Sequence, residues 1–406
     1  MMGYDYELLT PDNIPAYIAR RPRLAELVDP DTLSVREVGD GNLNLIFICQ
    51  DAQGRGICLK QSLPYVRLVG ESWPLTPHRA TAEARAYDAA TALAARFVPG
   101  YHGFDPERFV LAMEDLSSWS VWRTALNQGE IHRGAEEDMG RYVARLAFGT
   151  SLFGLEAKEL KVRRAAATNP ELCEITEDLV FTEPYLEHEH NSVVDELWPL
   201  VGELRREEDL VAEVGSLKYG FMAKAEALIH GDLHTGSVMV TTADGRARAK
   251  AIDAEFCYYG PVGFDLGALF GNYLIARARA GVLGRPEEFQ AWLRELVPRT
   301  WGAFQEELRA LWPQRVDGFF SDRFLEAWLA RTLADAVGYG GCKAIRRIIG
   351  LAKVSDIQTL EGDQHVAAAT AVLRAARRWI LERASLGEPE HLSQVTDQVL
   401  AEEVGR

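Results

Sequence analysis

The stretch that decides the fold is His230–Ser237, HGDLHTGS, which is followed after an apolar segment by Asp253-Ala254-Glu255. The short apolar runs Ala227–Ile229 and Val238–Val240 flank it, which places Asp232 on a tight loop between two buried strands. A carboxylate on such a loop can orient a hydroxyl group and accept its proton, while later carboxylates can hold Mg²⁺. The pattern therefore predicts Mg²⁺-dependent phosphoryl transfer, with Asp232 as the catalytic residue.

The predicted metal ligands are Asp253 and Glu255, which follow the strand-like residues 249–252. Residues two apart in an extended chain point to the same side, so both carboxylates can face one Mg²⁺, a hard cation that prefers oxygen. The alternative is that His230–Asp232 form an ordinary turn and that Asp253 and Glu255 lie at a solvated strand end. His230 and His234 also suggest zinc, but no Cys/His cluster completes a tetrahedral set.

A turn-rich segment near the N-terminus, Val38–Asn44 (VGDGNLN), is the predicted nucleotide-phosphate loop. Gly39 and Gly41 let the backbone approach phosphate groups closely, and Asn42 and Asn44 are the polar candidates beside them. Asp-Gly and Gly-Asn are also common hairpin turns, so the segment alone is equally consistent with a simple β-turn.

The next strand, Gly56–Gln61, carries Lys60, which is placed to pair with nucleotide phosphates. Its predicted partner is Glu83, on an Ala/Arg-rich helix at 80–96 whose inward face would aim the carboxylate at Lys60. The alternative for each residue is a solvated side chain, which is the usual state of Lys and Glu.

A buried strand at Phe109–Met113 ends in Glu114-Asp115-Leu116. This order places the segment at the hinge between two lobes, where backbone groups could read the edge of the adenine. Glu114 and Leu116 are therefore predicted nucleotide-binding residues.

These motifs, taken in order, resemble the aminoglycoside phosphotransferase and choline kinase superfamily, and within it the methylthioribose kinases. The resemblance runs from Gly39 to about Ala352. It implies an α+β, two-lobed, protein-kinase-like fold, with a strand-rich nucleotide-binding lobe at 1–115 and a mainly helical catalytic and substrate-binding lobe at 116–406. Besides the catalytic loop and the phosphate loop, its specific parts are Glu71–Thr76, Met113–Leu116, Asp253–Phe256, Tyr259–Asp265 and Arg346–Gly350.

The resemblance also implies a reaction, in which ATP and Mg²⁺ serve to phosphorylate the anomeric hydroxyl of 5-methylthioribose in methionine salvage. It implies that Trp73, in the loop at 72–79, shapes access to the site, and that Arg346 and Arg347 contact the sugar or the transferred phosphate. It further implies a homodimer. The alternatives are an apolar plug under the sheet for Trp73 and surface charge for the two arginines.

One departure from the wider superfamily lies at Ser237, where an Asn usually serves a metal, and the second metal element is Asp-x-Glu rather than Asp-Phe-Gly. Both changes resemble the methylthioribose kinases, and Glu255 is expected to supply the coordination that Ser237 cannot. Two alternatives stay open. One is a non-catalytic nucleotide-binding scaffold, and the other is a kinase for an aminoglycoside or choline-like amine, which would need an acidic acceptor pocket.

Composition agrees with a two-lobed enzyme of 406 residues, 47% of them hydrophobic. A formal charge of −16 argues against partners such as nucleic acid or an anionic membrane, which need a basic surface. Five scattered cysteines with no Cys-x-x-Cys spacing, and an N-terminus without a signal layout, predict a cytoplasmic protein.

The chain after residue 115 is predicted to be largely helical. Its longest strongly apolar stretch, Leu266–Ala276, is too short for a membrane span and predicts a buried helix. The tail after Leu386 is expected to be loosely held. Amphipathic helices are predicted at Asp138–Leu152, Leu197–Val214, Glu287–Leu311, Phe324–Val337 and Ala367–Ala384.

Overall fold

The structure is a computed structural model that describes residues 6–39, 43–66 and 70–404. A five-stranded antiparallel sheet in the order β1-β2-β3-β7-β6 dominates the N-terminal part, and small sheets pair β10 with β11 and β8, β9 with β12, and β4 with β5. The strands are β1 Ser34–Glu37, β2 Asn44–Gln50, β3 Gly56–Ser62, β4 Tyr65–Val66, β5 Gly70–Pro74, β6 Tyr101–Asp105, β7 Val110–Glu114, β8 Ser120–Val121, β9 Ala227–Ile229, β10 Val238–Ala243, β11 Arg246–Ala251 and β12 Tyr258–Gly260.

Helices make up most of the chain after β8. The α-helices are α1 Ile14–Ala19, α2 Pro22–Ala25, α3 Arg79–Ala94, α4 Trp122–Gln128, α5 Ala135–Gly149, α6 Ala157–Ala166, α7 Pro170–Phe181, α8 Trp198–Arg206, α9 Glu208–Ala223, α10 Val262–Val282, α11 Glu287–Leu311, α12 Asp322–Ile349, α13 Ser355–Gln358, α14 Gly362–Glu382 and α15 Pro389–Val404. Short 3-10 helices lie at Pro30–Thr32, Ala95–Phe97, Glu183–Tyr185, Asp195–Leu197, Thr235–Ser237 and Trp312–Gln314. The expected strand-rich first part and mainly helical remainder are confirmed.

The large sheet separates an apolar face from a face that carries charge. Phe47 and Leu59 pack with Ile14 and Ile18 of α1 in a small hydrophobic core on one face. Because side chains alternate along a strand, Lys60 lies on the opposite face, toward α3 and the helical part of the chain. The sheet therefore presents Lys60 to the cleft between the two parts of the molecule.

Close packing of α10 against α12 forms the base of the helical part. A Cβ added at Gly267 would lie 2.6 Å from the carbonyl oxygen of Ala336, and one at Gly271 would lie 2.5 Å from that of Gly340. The two backbones thus approach more closely than side chains would allow, which fixes the end of α12 beside the loop between β9 and β10.

The apolar stretch Leu266–Ala276 is buried within α10, as the sequence predicts. None of the helices in the described parts of the chain combines the length and apolar character that crossing a bilayer requires. The helix predicted at 197–214 is divided, since α8 ends at Arg206 and α9 begins at Glu208. The helix predicted at 324–337 is longer than expected, because α12 continues to Ile349.

The expectation of a loosely held tail after residue 386 is wrong. The tail forms α15, whose Leu392 and Val399 are buried in the main hydrophobic core. Trp379 donates a hydrogen bond from Nε1 to Oγ1 of Thr396 at 3.1 Å, and both groups are buried. An apolar face at helical spacing, hidden within a polar sequence, holds the segment in place.

Candidate active site

The loop between β9 and β10 carries Asp232, as the sequence predicts. Gly231, just before it, has a φ of +83°, and a Cβ at this position would lie 2.2 Å from the carbonyl oxygen of Phe256. Only glycine satisfies both the left-handed backbone and this close approach. The loop is therefore pressed against the segment that follows Asp253.

Asp265, near the start of α10, holds the backbone of this loop. Its carboxylate accepts hydrogen bonds from the backbone N–H of His230 at 2.7 Å and of Gly231 at 2.9 Å. The His230 ring contacts the carbonyl oxygen of Ile252 through Nε2 at 2.8 Å, and its Nδ1 accepts from the Asp232 N–H at 3.3 Å. These contacts fix where the Asp232 side chain begins.

The Asp232 carboxylate lies among cationic and hydrogen-bonding groups. Oδ1 pairs with the Lys343 ammonium, while Oδ2 lies 3.3 Å from His234 Nε2 and 4.0 Å from Arg347 Nη2. Burial by itself would raise the pKa of Asp232, but Lys343 and the other neighbours outweigh it and hold the pKa well below its usual value. Asp232 is therefore an anion that binds a proton only weakly.

The contacts of His234 define its protonation state. Its Nδ1 accepts from the Gly236 N–H at 3.0 Å, and the Ser237 hydroxyl lies 3.3 Å from the same atom. Burial lowers the pKa of His234 to about 3, so the ring is neutral at physiological pH and carries its proton on Nε2, facing Asp232. Ser237 thus supports His234 in this structure.

Lys60 links the sheet to the opposite wall of the cleft. Its ammonium donates to Glu83 Oε1 at 2.8 Å and also pairs with Asp253 Oδ1. Burial raises the pKa of Glu83 to about 7, although the Lys60 charge opposes the rise. The structure thus brings together the lysine and glutamate that the sequence pattern pairs.

Glu83, Asp253 and Glu255 bring carboxylate oxygens within 4.8 Å of one another. The predicted reason for the convergence of Asp253 and Glu255 is wrong, because neither residue lies in a strand. Asp253 has a φ of +67°, and this left-handed bend redirects the chain. Asp253 is 48% exposed, whereas Glu255 is 1% exposed, so one carboxylate faces the cleft and the other is enclosed.

Arg79, at the start of α3, is a residue that the sequence reasoning missed. It is completely buried and donates from Nε to Glu255 Oε2 at 3.1 Å. Its two terminal nitrogens reach the carbonyl oxygens of Leu63, Thr76 and Leu43 and the Oδ1 of Asn44. Its position four residues before Glu83 puts both side chains on one helix face, and that spacing was the available signal.

The structure describes only part of the predicted phosphate loop. Gly41 and Asn42 lie outside the described residues, and Gly39 lies in an exposed turn just before them. Asn44 is buried, and its Nδ2 donates to Glu255 Oε2 at 3.0 Å. The predicted phosphate loop is therefore anchored at its end to Glu255, one of the predicted metal ligands.

At the predicted hinge, β7 ends with Glu114, whose carboxylate accepts from the Gly100 N–H at 2.8 Å and pairs with Lys250. Leu116 is buried, and its carbonyl accepts from the Trp119 N–H at 2.8 Å. The segment thus connects the large sheet to the first elements of the helical part.

The predicted tryptophan loop is partly a hairpin, because the backbone of β5 pairs with β4. Trp73 lies in β5, and its side chain is outside the described part of the structure. The expectation of a loop at 72–79 is therefore wrong for residues 72–74, which lie in β5.

Arg346 and Arg347 lie in the last turn of α12, and both are buried. The Nε atom of each has no hydrogen-bond partner within the described residues. Lys343 precedes them by one helical turn, so the same face carries all three cations, a pattern that the sequence already contained. Burial lowers the pKa of Lys343 to about 8, although Asp232 opposes the shift.

A fourth cation, Arg123 of α4, completes the basic wall. It donates to Asn272 Oδ1 at 2.7 Å and lies 3.2 Å from the carboxylate of the buried Asp356. Arg123, Lys343, Arg346 and Arg347 thus face two carboxylates, the partly exposed one of Asp232 and the buried one of Asp356. Desolvated cations in excess favour an anionic or strongly hydrogen-bonding ligand.

Comparisons with known proteins agree with this geometry. The APH phosphotransferase enzyme family matches residues 34–306. A methylthioribose kinase of Geobacillus kaustophilus is 41% identical over 382 residues, which cover 93% of each chain. A methylthioribose kinase of Citrobacter koseri is 43% identical over 345 residues, covering 82% of this chain and 84% of that protein. The two-lobed, kinase-like fold is confirmed, and the chain belongs to the methylthioribose kinase family.

Proposed function

We propose that this protein is a kinase that uses ATP and Mg²⁺ to phosphorylate the anomeric hydroxyl of 5-methylthioribose. The product is 5-methylthioribose 1-phosphate, an intermediate of methionine salvage. The observation that carries the proposal is the convergence of the Asp232 loop, the Lys60–Glu83 pair and the Asp253 and Glu255 carboxylates in one cleft. The relatives described above, which are named methylthioribose kinases, support this acceptor.

Asp232 orients the acceptor hydroxyl and receives its proton. Its lowered pKa makes it a weak base, which suits a loose transition state in which the proton leaves the hydroxyl late. His234 keeps a neutral ring with its N–H toward Asp232 and thereby fixes the rotation of the carboxylate. Lys343 holds the other oxygen, and we infer that the acceptor hydroxyl takes over part of this contact when it binds.

The carboxylates of Asp253 and Glu255 suit Mg²⁺, because their oxygens and that of Glu83 converge and Mg²⁺ prefers carboxylate ligands. When bound, the ion neutralises charge on the nucleotide phosphates. Asp253 offers a half-exposed carboxylate to the cleft, while Arg79 and Asn44 hold the Glu255 carboxylate in one orientation. Lys60 adds a positive charge for the phosphates next to this group.

The basic wall recognises the acceptor and the transferred phosphoryl group. Arg346 and Arg347 have buried Nε donors available, and a guanidinium presents fixed forks of N–H groups to hydroxyls and phosphate oxygens. An amine acceptor would instead meet repulsion from these cations. We assign Trp73 to the apolar wall that covers the methylthio group, on family resemblance.

On the nucleotide side, we assign Gly39, Gly41, Asn42 and Asn44 to the phosphate loop. Glu114 and Leu116 mark the hinge against which the adenine lies. Residues 1–115 and 116–406 are the two lobes in this proposal. A cytoplasmic location and a homodimer also belong to it, the first from cysteine usage and the second from family resemblance.

An ADP-release assay across a panel of acceptors tests the proposal. We expect 5-methylthioribose to give a higher kcat/KM than ribose, choline or an aminoglycoside, because only 5-methylthioribose fills both an apolar wall and a donor-rich wall. Loss of the methylthio group should lower affinity, since each buried CH₂ contributes about 0.8 kcal/mol.

The same assay separates the rival functions. A better acceptor among the amines would replace the substrate assignment and leave the kinase assignment intact. ADP release at the background rate with every acceptor, together with normal ATP binding, would identify a nucleotide-binding scaffold. The Asp232→Asn variant is the control, because it keeps the shape of the side chain and removes the proton acceptor.

A further inference from the structure

A second group of metal-ligating side chains lies outside the cleft described above. Glu183, His188 and His190 occupy the connection between α7 and α8, and one ligand atom from each lies within 4.8 Å of the others. Glu183 Oε2 is 3.0 Å from Nδ1 of His190 and 3.6 Å from Nδ1 of His188. The two imidazole rings lie 4.5 Å apart, so both approach a single carboxylate oxygen from different directions.

The backbone around this group is held in place before any ligand binds. Asn191 is buried, and its Nδ2 donates to the carbonyl oxygens of Glu183 at 2.6 Å and Leu186 at 3.0 Å. The next residue, Ser192, donates its N–H to the carbonyl oxygen of Ile349 at 2.9 Å, which ties the segment to the end of α12. The backbone that carries the three side chains is therefore fixed, which reduces the entropy cost of binding.

The hydrogen bonding of His188 shows that its Nδ1 is an acceptor beside the Glu183 carboxylate. The backbone N–H of His190 donates to Nδ1 of His188 at 3.2 Å, so this nitrogen carries no proton. An unprotonated Nδ1 and a carboxylate oxygen of Glu183 thus lie 3.6 Å apart without a proton between them. The negative charge of Glu183 beside this nitrogen favours a cation that binds Nδ1 of His188.

The separations match those of a tetrahedral metal site. Zinc binds imidazole nitrogen and carboxylate oxygen at about 2.0–2.2 Å, so tetrahedral ligand atoms lie roughly 3.3 Å from one another. The distances of 3.0 and 3.6 Å from Glu183 Oε2 bracket this value. Small rotations of the partly exposed His188 and His190 rings suffice to complete the geometry.

We propose that Glu183, His188 and His190 form a binding site for a divalent transition-metal ion of the zinc type. Two imidazoles and one carboxylate leave a fourth position for water. Imidazole nitrogen selects zinc, cobalt or nickel over magnesium, so this site differs in its metal from the all-carboxylate group in the cleft. A metal bound to Nδ1 of His188 replaces the hydrogen bond that this nitrogen accepts from the backbone N–H of His190.

Titration of the full-length protein with Co²⁺ tests the site. Excess Mg²⁺ is present throughout to occupy the carboxylates of Glu83, Asp253 and Glu255. We expect one equivalent of Co²⁺ to bind and to give the visible absorption of a four-coordinate ion, which Zn²⁺ then displaces. His188→Asn and His190→Asn should each weaken Co²⁺ binding by about 10-fold or more, since even outer partners of metal ligands contribute that much.

His391→Asn is the matched control, because His391 is an exposed histidine on α15 and should leave Co²⁺ binding unchanged. Retention of ADP release by each variant shows that its fold is intact. The proposal is overturned if the wild-type protein binds no equivalent of Co²⁺ in excess Mg²⁺, or if binding survives either ligand substitution at wild-type strength.

Discussion

Arg79 and Glu255 form an ion pair that solvent does not reach. The Arg79 Nε lies 3.1 Å from Glu255 Oε2, and the two side chains are 0% and 1% exposed. The remaining nitrogens of the same guanidinium bind the ends of the phosphate loop, the tryptophan segment and β3. A single buried cation thus joins the elements proposed to bind the nucleotide to a carboxylate proposed to hold Mg²⁺.

Arg79→Met should destabilise the protein strongly, because it leaves the Glu255 carboxylate buried without its partner. Breaking one side of a buried ion pair costs about 3–5 kcal/mol, whereas an exposed pair contributes about 0–1 kcal/mol. The Arg79→Lys variant should lose an intermediate amount of stability, since lysine keeps the positive charge but lacks the planar set of N–H donors of a guanidinium. Urea unfolding gives the free energies, with Arg163→Met as the control at an exposed pair with Glu159. Equal losses at the two positions would show that the buried pair has no special role.

Glu255→Gln should raise the Mg²⁺ concentration needed for half-maximal turnover, because it removes a charge from the carboxylates proposed to hold Mg²⁺. Ser237→Ala should change this requirement much less, since the Ser237 hydroxyl contacts His234 in the structure. A Mg²⁺ titration of ADP release compares the two variants. The opposite order of effects would assign the metal contact to Ser237.

We expect activity to fall at alkaline pH because Lys343 loses its proton there. Burial lowers its pKa to about 8, from an ordinary value of 10.5, so the cation beside Asp232 is lost as pH rises through about 8. Between pH 8 and 10.5 the unfolded chain binds the proton that the folded chain releases, so this group contributes stability that rises with pH. Lys343 therefore does not promote unfolding in this range, and we expect the decline in kcat/KM above pH 8 to be a local effect on the site.

Lys343→Arg should move this decline to higher pH, because a guanidinium does not lose its proton in this range. Lys353→Arg is the matched control. Burial also lowers the pKa of Lys353 to about 8, but this ammonium binds carbonyl oxygens at the end of α12 and not Asp232. A shift of the pH profile in the control, or none in Lys343→Arg, would contradict the assignment.

Replacing Arg346 and Arg347 together by methionine should greatly lower kcat/KM for 5-methylthioribose and leave ATP binding nearly intact. Methionine keeps much of the apolar bulk and removes the hydrogen-bond donors, whose loss leaves acceptor groups unpaired. Arg331→Met, at an exposed position of the same helix, is the control and should change neither quantity. Equal losses of ATP and acceptor affinity would mean that the arginines serve the fold and not acceptor recognition.

Much of the site could be predicted because its residues lie in short local patterns. The catalytic loop, the lysine strand and the Glu83 helix each have an apolar period or a turn signal that fixes their structure. For this reason the sequence pattern predicts that Lys60 pairs with Glu83. Asp253 and Glu255 were predicted to converge, but through strand alternation, and the left-handed bend at Asp253 has no equally clear local signal.

Contacts between residues far apart in the sequence are harder to predict from it. The contact of Arg79 with Glu255 spans 176 residues, and that of Lys343 with Asp232 spans 111. No local periodicity encodes such pairs, although the helical spacing of Arg79 to Glu83 and of Lys343 to Arg347 pointed to the shared faces. The buried α15 was missed because its apolar positions are sparse in a charged tail.

Analysis of the reaction product tests the proposed phosphoryl transfer to the anomeric hydroxyl. The protein is incubated with ATP, Mg²⁺ and 5-methylthioribose, and phosphorus and proton NMR then locate the new phosphate ester. We expect one ADP for each sugar phosphate formed, coupling of the phosphorus to the anomeric proton, and loss of the reducing end. The Asp232→Asn variant should form this product more slowly by a factor of about 100 or more, with ATP affinity little changed. A phosphate on another hydroxyl, or an Asp232→Asn rate near that of the wild type, would contradict the proposal.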